Sequence, residues 1–131
     1  LKKTMLLNSH LSRVISELGH TDLIVIADAG LPIPAETERI DLAVRPGTPG
    51  LWETLEAVLS EMTVEKAILA QETTEVSPSL HQQWIEALPG IPWETISHEE
   101  LKELTRKAKA VIRTGECTPY ANLVLQAGVL F

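Results

Sequence analysis

The amino-acid sequence predicts a single α/β domain over residues 1–131: three layers, α/β/α, around a mainly parallel, mixed sheet. Three observations carry this. Leu23-Ile24-Val25-Ile26-Ala27 is an unbroken apolar run, which marks a strand covered on both faces. Segments with helical apolar spacing alternate along the chain with further short apolar runs. A chain of 131 residues is the usual size of one domain. Folding such a chain reduces roughly 21,000 Å² of surface to roughly 6,800 Å², which is enough burial for one core.

The elements follow in order. Asn8 and Ser9 suit a helix N-terminus; Leu11, Val14, Ile15 and Leu18 then fall on one face, and Gly19 stops the helix. The run 23–27 is the first strand, ended by Asp28-Ala29-Gly30 and Leu31-Pro32-Ile33-Pro34. Ile40 to Val44 predicts a second strand, and residues 45–50 are dense in turn formers. Leu51, Leu55, Val58, Leu59 and Met62 mark a helix, and Val64 to Ala70 a third strand. Ser77-Pro78 opens a helix with proline at its first position, and Leu80, Trp84 and Leu88 form its apolar face. Trp93 to Ile96 predicts a short strand. Ser97-His98-Glu99-Glu100 has the spacing of a capping box. Ala110 to Arg113 and Leu123 to Leu125 are the last two strands.

Composition narrows the function classes. The net charge is −7, and no run of Lys or Arg is longer than two, so nucleic acid and anionic membrane surfaces are not expected partners. No apolar stretch approaches the ~20 residues of a membrane span. Lys2-Lys3 before Met5-Leu6-Leu7 looks like the start of a signal peptide, but the patch ends at Asn8-Ser9-His10. A single cysteine allows no internal disulfide and points to the cytoplasm. There is no phosphate-binding glycine loop, no H-E-x-x-H and no G-x-S-x-G.

The polar residues of interest sit near strand ends, where open α/β sheets bind ligands. Asp28 ends the most apolar strand; it either caps a turn or holds a ligand. His20 lies between the first helix and that strand, and is either a solvated helix-end residue or a proton donor. Arg113 and Glu116 follow another strand, and Tyr120-Ala121-Asn122 follow a proline turn. His98 heads its helix and reads as facing water. His10 reads as a packing or surface residue, His81 as part of a polar helix face, and Cys117 as a small hydrophobe.

Taken together, Leu18-Gly19-His20-Thr21-Asp22, Ile26-Ala27-Asp28-Ala29-Gly30-Leu31-Pro32, Ala110-Val111-Ile112-Arg113-Thr114-Gly115-Glu116 and Thr118-Pro119-Tyr120-Ala121-Asn122 resemble the RbsD/FucU family of sugar mutarotases, on its ribose side. The resemblance covers essentially the whole chain. Met5 departs from it, standing where such proteins commonly carry Gly, and residues 71–92 add no motif. The resemblance implies an isomerase without cofactor or metal that interconverts the pyranose and furanose forms of D-ribose by opening and reclosing the ring. It puts the proton donor on His20 and the sugar contacts on Asp28, His98, Tyr120, Ala121 and Asn122. Fucose mutarotation is the alternative within the family, and a non-catalytic sugar-binding accessory protein is the alternative outside it. The resemblance also implies a homodecamer of two pentameric rings, with Tyr120 and Asn122 reaching the pocket of an adjacent subunit. The uncharged segment 122–131 agrees with burial in the chain's own core or against a partner.

Overall fold

The apolar runs form the interior of a six-stranded sheet. The structure is a computed structural model that describes residues 1–131. In chain order the elements are α1 (Ser9–Glu17), β1 (Leu23–Ala27), β2 (Glu38–Asp41), α2 (Leu51–Leu59), β3 (Val64–Ala70), α3 (Gln71–Val76), α4 (Pro78–Ala87), β4 (Trp93–Ile96), α5 (His98–Leu104), a 3₁₀ turn at Thr105–Lys107, β5 (Ala110–Arg113) and β6 (Leu123–Ala127). The strand order is β2-β5-β1-β6-β3-β4.

β1 pairs in parallel with β5, β5 with β2, and β3 with β4; β6 alone runs antiparallel, wedged between β1 and β3. Five strands therefore share one direction, and their carboxyl ends gather at one edge. The sheet is mixed and mainly parallel, as expected.

Side chains alternate across each strand and feed two cores. Ile24 and Ile26 of β1, with Leu123 and Leu125 of β6, pack under α1, α2 and α4 through Leu11, Val14, Leu51, Leu55, Val58 and Trp84. Each fully buried Leu or Ile there contributes about 1.5–3 kcal/mol. The opposite residues, Val25, Ala27, Val111 and Val124, pack under Leu31 and Leu101 of α5. That second layer is much thinner. The folded surface is 6864 Å², in line with the scaling expectation. No helix is long and apolar enough to cross a membrane.

Several boundaries differ from expectation. β2 spans Glu38–Asp41 rather than Ile40–Val44: the Asp41 carboxylate accepts from the Ala43 N–H, and Val44 bonds to Thr48 in the following turn. α2 stops at Leu59, three residues short of Met62. α3 was not anticipated. β6 continues to Ala127, while Leu130 and Phe131 are fully exposed, so only part of the C-terminal segment packs into the chain's own core.

Candidate active site

The parallel strands deliver Asp28 after β1 and, through the β4–α5 junction, His98 to one edge of the sheet. The reversed β6 begins at the same edge, which brings Tyr120, Ala121 and Asn122 to it. The Asp28 N–H donates to Asn122 Oδ1 at 2.9 Å, and Asn122 Nδ2 donates to Asp28 Oδ2 at 3.1 Å. Asn122 is fully buried, so this two-point contact fixes the carboxylate. The other oxygen, Oδ1, accepts from the Gly30 N–H at 2.9 Å. Asp28 thus caps its turn and lines a pocket at once.

Tyr120 adopts a left-handed backbone, φ 58°, and its carbonyl accepts from Thr73 Oγ1 at 2.7 Å and from the Asn122 N–H at 2.9 Å. Ser77 Oγ donates to the Pro119 carbonyl at 2.9 Å. The short α3 therefore props the tyrosine loop. Glu72 of α3 accepts from the His98 N–H at 3.1 and 3.2 Å, which tethers the first residue of α5. The His98 ring meets Tyr120 edge-on, with centroids 5.0 Å apart and planes at 80°. His98 is half-buried, and its Nδ1 is buried without a hydrogen-bond partner, so the ring does not simply face water.

Asp28, Leu31, Pro32, His98, Lys102 and Tyr120 line an open cavity of about 500 Å³. Ala121 and Asn122 are buried behind this wall, and Asn122 acts on the pocket through Asp28. Lys102 and Glu72 were not anticipated. Lys102 lies four residues after His98 on α5, a spacing that puts both on one helix face. A larger groove, about 800 Å³, lies on the thinly covered sheet face beside α5, floored by Leu23, Ile68, Ile96 and Leu104. None of the residues expected to bind sugar lines it.

His20 stands elsewhere. It precedes β1 while Asp28 follows it, so the two are separated by the strand's length, roughly 16 Å. His20 sits in a tight turn: the Gly19 N–H donates to Asp22 Oδ2 at 2.8 Å, and Thr21 has φ 72°. Its side chain is 55% exposed, and Nε2 lies 2.9 Å from Glu65 Oε2. Gln126 Nε2 donates to Glu65 Oε1 at 2.7 Å. The hydrogen bonds from Gln126 first, and from His20 second, hold the Glu65 carboxyl below its ordinary range. Tyr120 and Asn122 share Asp28's edge in the same chain, and His20 is the residue set apart.

The other residues singled out have local roles. Arg113 donates to the Ala29 carbonyl and pairs with Asp41. Glu116 accepts from the Leu51 N–H at the start of α2 and from Thr118. Burial pushes its carboxyl up, but the hydrogen bonds from Leu51, Thr118 and Cys117 outweigh this and leave it below the ordinary value. His10 contacts Glu38, His81 packs edge-on against Trp93, and Cys117 is exposed rather than a small buried hydrophobe. No group of three or more His, Cys, Asp or Glu side chains is arranged to hold a metal ion.

Comparison with known proteins fits this arrangement. A D-ribose pyranase of Chloroflexus aggregans is 57% identical over 131 residues, the full length of both chains. Bacillus subtilis RbsD, in its structure complexed with D-ribose, matches with a TM-score of 0.96 at 50% identity, each chain covered completely. The fucose mutarotase of Streptococcus pneumoniae, in complex with L-fucose, matches with a TM-score of 0.82 at 25% identity, again over both whole chains. The model of the RbsD / FucU transport protein family matches residues 1–130, and the chain belongs to that family.

Proposed function

We propose that this chain interconverts the pyranose and furanose forms of D-ribose. One observation carries the reading: at 50% identity and a TM-score of 0.96, the likeness to a protein complexed with D-ribose covers the whole chain, and so every element that builds the Asp28 pocket. The 25% identity to the fucose-bound relative weighs against fucose as the substrate.

The chemistry asks little of the protein. The ring oxygen of the hemiacetal gains a proton, the anomeric hydroxyl loses one, and the bond from the anomeric carbon to the ring oxygen breaks. A different hydroxyl of the open aldehyde then attacks the same carbon and sets the new ring size. Proton transfer by a positioned side chain typically gives about 10²–10⁴-fold. His20 is the proton donor. Asp28, fixed by Asn122, accepts hydrogen bonds from sugar hydroxyls, while His98 and Tyr120 supply an aromatic wall. No cofactor takes part.

The separation of His20 from Asp28 supports a site shared between two copies. His20 of one subunit completes the Asp28 pocket of its neighbour, in a closed homodecamer of two pentameric rings in the cytoplasm. The exposed Leu130 and Phe131 suit burial between copies.

Saturation-transfer NMR of D-ribose tests the activity: exchange between ring forms should quicken on adding protein, and buffer-level exchange would overturn the reading. Mixing His20→Ala with Asn122→Ala subunits tests the shared site. Mixed rings should regain activity where an intact His20 meets an intact Asp28 pocket; a fully active monomer in the ultracentrifuge would rule sharing out.

A further inference from the structure

We infer that Glu65 is a positioning residue for His20: it holds the imidazole through Nε2, so that Nδ1 is the atom that exchanges protons with the sugar. The inference rests on the reading of His20 as proton donor. It begins from chemistry the reaction imposes. Ring opening and reclosure need one group to give a proton and then to take one back, at the same place. A neutral imidazole has two tautomers, and the hydrogen bond made by one nitrogen decides which nitrogen stays bare. An exposed histidine without a partner samples both, and swings about its side-chain bonds as well.

The Glu65 carboxylate removes that freedom. Its Oε2 lies 2.9 Å from His20 Nε2 and accepts the Nε2–H. Nδ1 is then bare in the neutral ring and carries the transferable proton in the charged ring, while Nε2–H stays bound throughout. Glu65 cannot rotate away, because Gln126 Nε2 donates to its Oε1 at 2.7 Å. Glu65 also remains an anion near neutrality, since both hydrogen bonds hold its carboxyl down.

The backbone around this pair is fixed to match. Thr21, a β-branched residue, is held at φ 72°, a strained conformation that persists only where the surroundings impose it. Here the Thr21 N–H donates to the Ala127 carbonyl at 2.9 Å, and the Ala127 N–H to the Asp22 carbonyl at 2.8 Å. The His20 turn is thereby clamped to the end of β6, the strand that carries Gln126. Gly128, next along, lets β3 come close: a Cβ there would lie 3.2 Å from Glu65 Cβ. Strand β3, strand β6 and the strained turn converge on one ring nitrogen.

The test compares Glu65→Gln, Glu65→Ala and His20→Ala by ribose exchange kinetics and by ¹⁵N NMR of the His20 ring. Wild type should show the Nε2–H tautomer. Glu65→Gln keeps the side chain's size, but with its amide oxygen held by Gln126 Nε2 it turns an NH2 toward His20 Nε2. It should move the ring toward the Nδ1–H tautomer and lower kcat about tenfold or more, with KM within about twofold, the pattern of an interaction made in the transition state. Glu65→Ala should mix the tautomers and lower kcat likewise. A wild-type kcat and an unmoved tautomer ratio in a folded Glu65→Gln protein, with His20→Ala inactive, overturn the inference and leave His20 as donor. Full activity in His20→Ala overturns the underlying reading instead.

Discussion

Asn122→Asp exchanges an amide for a carboxylate of nearly the same shape. The Asp28 N–H keeps its acceptor at 2.9 Å, but Asp28 Oδ2, 3.1 Å from the old Nδ2, now faces an oxygen. Two full charges at that distance repel by about 5 kcal/mol at an effective dielectric of about 20. Protonating one carboxyl relieves the repulsion. That costs about 1.4 kcal/mol for each pH unit above a carboxyl's ordinary value near 4, so about 4 kcal/mol at pH 7 and about 1.5 at pH 5. Asp28 is half-buried, and solvent screening trims the defect to about 2–4 kcal/mol at pH 7. The variant's folded state binds a proton that its unfolded state does not, because the pair's carboxyl affinity is raised. Its stability is therefore lost as pH rises and regained on acidification. Urea unfolding of wild type and variant at pH 5 and pH 7 measures this. Asn122→Ala, which introduces no charge, should show a defect that is the same at both. An Asn122→Asp defect equally insensitive to pH would refute the reasoning.

Asp28→Asn keeps an acceptor for the Gly30 N–H but sets an NH2 against Asn122 Nδ2, so it should lower the melting temperature modestly and weaken ribose binding more; a sharp fall in melting temperature with affinity unchanged would leave Asp28 as a turn cap only. Gly115→Ala places a Cβ 2.6 Å from the Arg45 carbonyl and from the Thr48 nitrogen, both backbone, and should cost about 3 kcal/mol; unchanged thermal stability would contradict this. The stability contributed by Glu116 is present above its ordinary value of 4.5 and is lost as pH falls through its lower folded value, so the gap in melting temperature between wild type and Glu116→Gln should close on acidification. Dialysis against a chelator should leave exchange activity intact; loss restored by added metal would contradict the proposed chemistry.

Local patterns made most elements legible. β1, β3, β4 and β5 have the limits their apolar runs suggest, and Asn8, Pro78 and Ser97 begin the helices they should. Elements held by remote contacts were not visible. α3 is six residues, QETTEV, with one apolar side chain and no periodic face; Thr73 and Ser77 secure it through the Tyr120 loop, more than forty residues away. β2 is an edge strand whose limits come from its register with β5, where Glu38 faces Ala110 and Asp41 faces Arg113. The site divides in the same way. Asp28, His98 and Tyr120 share a pocket because strand ends share an edge, which the α/β pattern foretells. The distance to His20 was also implicit, since a residue before a strand and one after it occupy opposite edges. What no local pattern carried was the pairing of His20 with Glu65, forty-five residues later on β3.

β6 ties the Asp28 pocket to the His20 turn. It is the one strand that runs against the others, and its interior residues Leu123, Val124 and Leu125 have no exposed surface. Asn122 at its start clamps Asp28, and Gln126 near its end clamps Glu65 beside His20. The two amides are four residues apart on the same face of the strand, about 13 Å. One buried strand therefore sets, within each chain, the distance between the group it presents at one edge and the pocket it supports at the other. In the proposed closed ring, that distance must match the offset between neighbours for each His20 to meet an Asp28 pocket. A central strand paired in register with β1 on one side and β3 on the other holds such a length better than a loop would, and preorganised groups are the ones that catalyse.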